Sequence, residues 1–174
     1  RALAEHALQV PRIRALVDGW ERLYAEPFRG ITDGTVPPPG LFALADEGAP
    51  VAAAAEAAGR LLALAAPHER ARLCHALQAR EWRAWMNPEF YLQRHGLRLE
   101  EIAVPLREAV LDVLRASLGA QGFARARDLM RINGFLGELV GAPRVMNEYS
   151  YNFNLFGQPS LAAPWGWNFY GHHL

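Results

Sequence analysis

The chain has 174 residues, 51% of them apolar and 21% charged, which suffices for one domain with a real core. Eighteen basic residues balance eighteen acidic ones, so bulk charge makes no case for a nucleic-acid or membrane-surface partner. Every basic residue is arginine and Cys74 is the single cysteine. A lysine Schiff base, a phosphate-loop lysine and an intramolecular disulfide are therefore all excluded within this stretch.

Residues 1–26 read as helical, with Leu16, Trp20 and Leu23 on one face and Pro11 at a break or first turn. Residues 27–48 are rich in glycine and proline, including "TVPPPG", and read as a long ordered loop with a short strand near Leu41 to Leu44. Its glycines lack a lysine and a following helix start, so phosphate binding there is a weak expectation. Pro50 opens a helix to about Ala65, and Pro67 opens another to about Gln78. The second would place Cys74 and His75 side by side on a helix, a poor geometry for a nucleophile–base pair. On the same helix His68 and His75 would share a face, too far apart for one metal. Trp82 and Trp85, three apart on a helical segment, read as core, and Asn87-Pro88 reads as a helix start ending at Gly96.

Residues 105–118 carry an apolar stripe of Leu106, Val110, Val113 and Leu114, with Gly119 as a stop. Residues 121–140 form the next helix, expected to bury Leu129, Ile132, Leu136 and Val140; Arg131 and Asn133 are its polar candidates for lining a pocket. At about residue 147 the period changes to two. "EYSYNFNLF" alternates Tyr149, Tyr151, Phe153 and Leu155 against Ser150, Asn152 and Asn154. "WGWNFYGHHL" then alternates Trp165, Trp167 and Phe169 against Asn168, Tyr170 and His172. The expectation is two regions: a helical one over 1–146 with its loop at 27–48, and a β-hairpin over 147–174. Because two strands make a marginal sheet, the sheet is expected to continue past the chain end.

Tyr151 and Phe153, "FGQPS" (156–160), "PWGW" (164–167) and "GHHL" (171–174) stand in the order and spacing of a known family. In these motifs the chain resembles the domain of unknown function 3500 family of bacteria and fungi. "EWRAWMNPEFY" and "LMRINGFLGELVGA" extend the likeness back to about Trp20, as in its fungal members. The chain departs from many bacterial members by having "MNEYSY" in place of an Arg-Asp-Pro run before the first aromatic strand. The resemblance implies an α+β fold, a helical N-terminal layer packed on a mainly antiparallel sheet of which the first hairpin is in view. It also implies a longer chain with a further His-x-His segment, and it carries over no catalytic residue.

Candidate sites gather in the last strands. His172 and His173 are the acid–base candidates, and His172 is the candidate metal ligand, for a divalent ion such as zinc, iron or copper. On a regular strand the two would point to opposite faces. Zinc takes about three protein ligands, and the His-x-His implied by the resemblance would complete such a set; Glu148 lies just before the first strand. If the polar faces of the hairpin coincide, Asn154 stands opposite Asn168, Asn152 opposite Tyr170 and Ser150 opposite His172. That ladder would suit a small polar ligand; its bland counterpart is an ordinary solvent face. Trp165 and Trp167 read as core, with a stacking platform for a sugar as the alternative.

Two functional readings stay open: a metal-assisted enzyme, hydrolase or oxidoreductase, acting on a small polar substrate, and a non-catalytic small-ligand or carbohydrate-binding module. A purely structural hairpin is the third. No signal peptide or membrane-spanning run is visible, so the expectation is cytoplasmic, although Arg1 rather than methionine leaves room for an upstream segment.

Overall fold

A computed structural model of the chain describes residues 9–26, 48–89 and 95–174. The expected loop and short strand over 27–47, the start of the first helix and most of the segment after Asn87-Pro88 lie outside these residues. In chain order the described elements are α1 (Pro11–Ala25), α2 (Val51–Leu64), α3 (Pro67–Leu73), β1 (Cys74–His75), β2 (Leu97–Arg98), α4 (Val104–Ser117), α5 (Ala120–Leu139), β3 (Tyr151–Phe156) and β4 (Gly166–Gly171). The fold is α+β, a helical layer on a mixed four-stranded sheet.

β3 is the centre of that sheet. β4 runs antiparallel along its whole length, from Tyr151 opposite Gly171 to Phe156 opposite Gly166. Its other edge is shared by two short pieces: β1, parallel at Leu155 and Phe156, and β2, antiparallel at Phe153 and Asn152. With both edges paired and both faces covered, all six residues of β3 are buried. The hairpin is therefore joined by two strands drawn from the region that reads as helical. α3 stops at Leu73 because the extended backbone of Cys74 carries the chain into the sheet, so Cys74, His75 and His68 do not share a helix.

The core follows from two helical stripes. α2 is almost all alanine and leucine, residues of high helix propensity, and it buries Ala54, Ala57, Ala58 and Leu61. Those small side chains let it lie close along α4, whose Leu106, Val110, Val113 and Leu114 are buried as the sequence stripe predicts. Tyr151, Phe153 and Leu155 of β3 close the cluster from the sheet side, with Leu73, Leu97 and Leu99 beneath them. Burying each such large side chain stabilises the fold by roughly 1.5–3 kcal/mol. Inside this apolar layer the Tyr151 hydroxyl is pushed up to about 12 by burial.

Three helical expectations are corrected. α5 buries Ala126, Met130, Asn133 and Gly137, while Ile132 is 60% exposed and Val140 55%. The stripe of large apolar residues on α5 thus faces outward, and the small face packs inward because Gly137 must lie against the Met146 backbone. On α1 the buried residue is Val17, while Leu16 and Leu23 are exposed. Trp85 is exposed as well, and Trp82 sits in a single 3₁₀ turn, Arg80–Arg83.

Candidate functional site on the asparagine face of the sheet

β3 places Tyr151, Phe153 and Leu155 in the core, so Asn152, Asn154 and Phe156 face the other way. The hairpin register sets Asn154 opposite Asn168 and Asn152 opposite Tyr170, the pairing expected if polar faces coincide. What differs is burial. Asn152 is 2% exposed, Asn154 0% and Tyr170 5%, so this is a covered polar layer and not a solvent face.

Two histidines supply part of the cover: His75, weighed from the sequence only on a helix beside Cys74 and His68, and His95, which the sequence pattern does not single out. His75, on β1, approaches the Asn154 Oδ1 with its Nε2 at 2.9 Å; His95, just before β2, approaches the same oxygen with its Nδ1 at 3.0 Å. Asn154 Nδ2 donates to Asn168 Oδ1 at 2.8 Å, so its oxygen is the acceptor for both imidazoles and each of those nitrogens carries a proton. The rings meet edge to face, 5.7 Å apart. Gly96 makes this possible: its backbone has φ +79, and a Cβ there would fall 2.6 Å from the Asn154 oxygen. Burial pushes the His95 pKa down, with the neighbouring His75 adding to the effect and the Asn154 hydrogen bond opposing it. Three atoms here are buried without a hydrogen-bond partner among the described residues: Asn152 Oδ1, Asn168 Nδ2 and His95 Nε2. Each such group costs about 1–3 kcal/mol unless something meets it.

His172 follows β4 directly, in the turn beyond Gly171. Its Nδ1 stands 2.9 Å from Oδ1 of Asn133, a buried residue on α5. The Asn133 amide has only one orientation available, because its Nδ2 donates to the Asn147 carbonyl, which can only accept, and to the Ser150 hydroxyl. Its oxygen therefore faces the imidazole, and His172 Nδ1 must be the protonated nitrogen. In the neutral ring Nε2 is then the basic atom. Burial lowers the His172 pKa and the neighbouring His173 lowers it further, against an opposing pull from Glu89.

The strand geometry expected of the histidine pair is corrected. β4 ends at Gly171, and His173 takes a left-handed backbone with φ 58. Gly171 N–H donates to the Leu174 carbonyl, His173 N–H to the Asn87 carbonyl, and the Tyr151 hydroxyl to the His172 carbonyl. This turn brings the two rings to one side, 4.1 Å apart, where an extended strand would have separated them. Gly171 is required at its start because a Cβ would run into the Tyr151 ring and the Ser150 carbonyl.

Trp165 and Trp167 are half-buried: they pack on the core, as read from the sequence, and also line an open cleft. Glu148 is not directed at the histidines, since it pairs with Arg127 at 2.7 Å. Arg131 is exposed and pairs with Asp128. Among the described residues no three His, Cys, Asp or Glu side chains converge to hold a metal ion. His172 and His173 alone fall short of the roughly three protein ligands zinc takes.

The fold is an α+β domain whose sheet carries a layer of asparagines met at Asn154 by His75 and His95, with His172 held by Asn133 just beyond β4. The DUF3500 family of proteins of unknown function matches residues 47–174, and the chain belongs to that family. The matched span holds every residue of the site but not α1 or Trp20, which the sequence likeness had included. No curated protein and no solved structure matches the chain. No described helix is long and apolar enough to cross a membrane.

Proposed function

We propose that the protein is an enzyme acting on a small polar substrate held at the asparagine face, with His172 as its general base. The observation that supports this most is the Asn133–His172 hydrogen bond. It orients the ring and fixes the tautomer, as a carboxylate or carbonyl does behind many catalytic histidines. Burial and His173 keep the imidazole neutral near pH 7, so Nε2 is available to take a proton from water or from a substrate hydroxyl. That chemistry serves a hydrolase directly, and it is the hydrolase reading that His172 carries. Asn152 Oδ1 and Asn168 Nδ2, an acceptor and a donor with no partner among the described residues, would orient a polar substrate. Asn154 and Tyr170 complete that layer, and His173, ring against ring with His172, tunes its basicity.

The test is a panel of p-nitrophenyl esters and glycosides and nitroanilides, assayed with the wild type and His172→Ala. The expected outcome is turnover of one class, rising with pH through the lowered pKa of the base and level by about pH 7, with at least about a 100-fold loss in the variant. Equal turnover by His172→Ala, or none by the wild type, refutes the reading. Saturable binding without turnover would make the protein a binding module instead.

A further inference from the structure

A concavity lies at the loop end of the hairpin. It is an open cleft of about 580 Å³ between the β3–β4 loop, the start of α2 and the end of α4. Three of the five tryptophans line it: Trp82, Trp165 and Trp167. Among the described residues, none that lines it carries a charge. A volume of this size with aromatic walls is the usual dimension of a small-molecule site.

The indole N–H groups and the Ser117 hydroxyl of the cleft are committed within the protein. Trp82 Nε1 donates to the Leu77 carbonyl, Trp165 Nε1 to the Ser160 carbonyl and Trp167 Nε1 to the Ser117 hydroxyl. The Ser117 hydroxyl donates in turn to the Val113 carbonyl, and the Ser160 oxygen accepts from the Ala162 and Ala163 amides. The ring faces are therefore the main recognition surface left. Phe156 stacks on one face of Trp82 at 3.7 Å and Phe153 stacks against Trp167, which holds two of the indoles rigidly in place. A sugar needs planar polar side chains to meet its hydroxyls, and an ion needs a counter-charge; this lining supplies neither. Stacking on indole faces suits a flat, uncharged ring.

We infer that the cleft is a binding site for a small neutral aromatic molecule or for an uncharged aromatic group of a larger ligand. The inference stands apart from the role of His172, since the two sites share no residue.

The test uses fluorine NMR of 4-fluoroanisole with the intact protein, beside 4-fluorobenzoate and methyl β-glucoside. Saturable broadening of the anisole signal is expected, with 4-fluorobenzoate at least about tenfold weaker because its charge would be desolvated without a partner. Methyl β-glucoside should not displace the anisole. Ala163→Glu puts a carboxylate into the cleft from an exposed loop position on which the core does not depend, and it should weaken anisole binding at least about tenfold. Trp165→Phe keeps an aromatic face and should retain it within about threefold. His172→Ala should leave it unchanged, which separates this site from the catalytic reading. No binding of the anisole, equal binding of the benzoate, displacement by the glucoside, or an unaffected Ala163→Glu variant would each overturn the inference.

Discussion

Replacing Asn133 by alanine tests the hydrogen bond on which the base assignment rests. The substitution removes three hydrogen bonds at once: to the Asn147 carbonyl, to the Ser150 hydroxyl and from His172 Nδ1. Their partners are not equally stranded. Ser150 Oγ keeps its bonds with the Asn147 backbone N–H and carbonyl, so both ends of that pair stay satisfied. His172 is only partly buried and can turn to water. At about 1 kcal/mol for a typical hydrogen bond, plus a small term for the space left by the carboxamide, the expected loss is about 2–3 kcal/mol. In a chain of this size that corresponds to roughly 5–10 °C in Tm. The more telling readout is the ring itself. Long-range ¹⁵N–¹H spectra should show His172 protonated at Nδ1 in the wild type and released from that single tautomer in the variant. Asn133→Asp restores an acceptor with a charge, and a carboxylate so close favours the imidazolium, so the His172 pKa should rise from below its ordinary value of 6.5 to above it. A wild-type His172 protonated at Nε2, or a pKa indifferent to Asn133→Asp, refutes the argument.

The lowered pKa values of His95 and His172 also set a pH dependence. Each ring binds its proton less readily in the folded state than at the unfolded value of 6.5, so below that pH the unfolded chain takes up protons that the fold resists. Stability measured by urea titration should therefore fall as pH drops from 6.5 toward the folded pKa values and be flat just above 6.5; His95→Gln should shallow that slope, and an unchanged slope refutes the assignment. Asn152→Leu removes a buried oxygen that has no partner among the described residues, so stability should stay within about 1 kcal/mol of the wild type or rise, and a loss above about 2 kcal/mol would show that the carboxamide is structural. Gly171→Ala should cost at least about 2 kcal/mol, because the new methyl meets backbone and a packed ring that cannot both yield; an unaltered melting curve would contradict the close approach. Phe135→Glu, at a residue 66% exposed on α5, should shift stability by no more than about 0.5 kcal/mol, whereas a buried stripe would make it severely destabilising.

The period-two pattern after residue 147 was enough to place the hairpin and the division of its faces, because strand alternation depends on the backbone alone; the register stayed conditional on the polar faces coinciding, and Asn154–Asn168 and Asn152–Tyr170 meet that condition. The stripe on α4 was legible for the same local reason. Alternation could not tell which polar face would be covered. Asn154 is met by His75 and His95, 79 and 59 residues away in sequence, and both histidines fall in segments that read as helical. The one local signal was Gly96 beside His95, a glycine where the chain must pass close to a side chain. On α5 the rule that large apolar residues point inward failed because close approach to the Met146 backbone selects Gly137 and Ala126 for the inner face. The histidine pair was misplaced because β4 ends at Gly171, and a left-handed residue after a glycine turn is a tertiary choice that the strand pattern runs straight through.

That turn changes what the closing motif can do. Extended, "GHHL" would give one histidine to the core and one to the polar face. Folded as it is, it sets both rings on one side and hands the first to an asparagine whose own amide is locked from behind. The same device recurs at Asn154, where a second carboxamide oxygen takes N–H groups from His75 and His95. A layer built only for stability would gain from leucine at Asn152 and would need no imidazole with a buried nitrogen that has no partner among the described residues. Polar groups kept at such cost, on a rigid central strand and with their protons assigned by neighbours, are what preorganised recognition requires. The asparagines fix where the imidazole protons sit: on Nε2 of His75, on Nδ1 of His95 and on Nδ1 of His172.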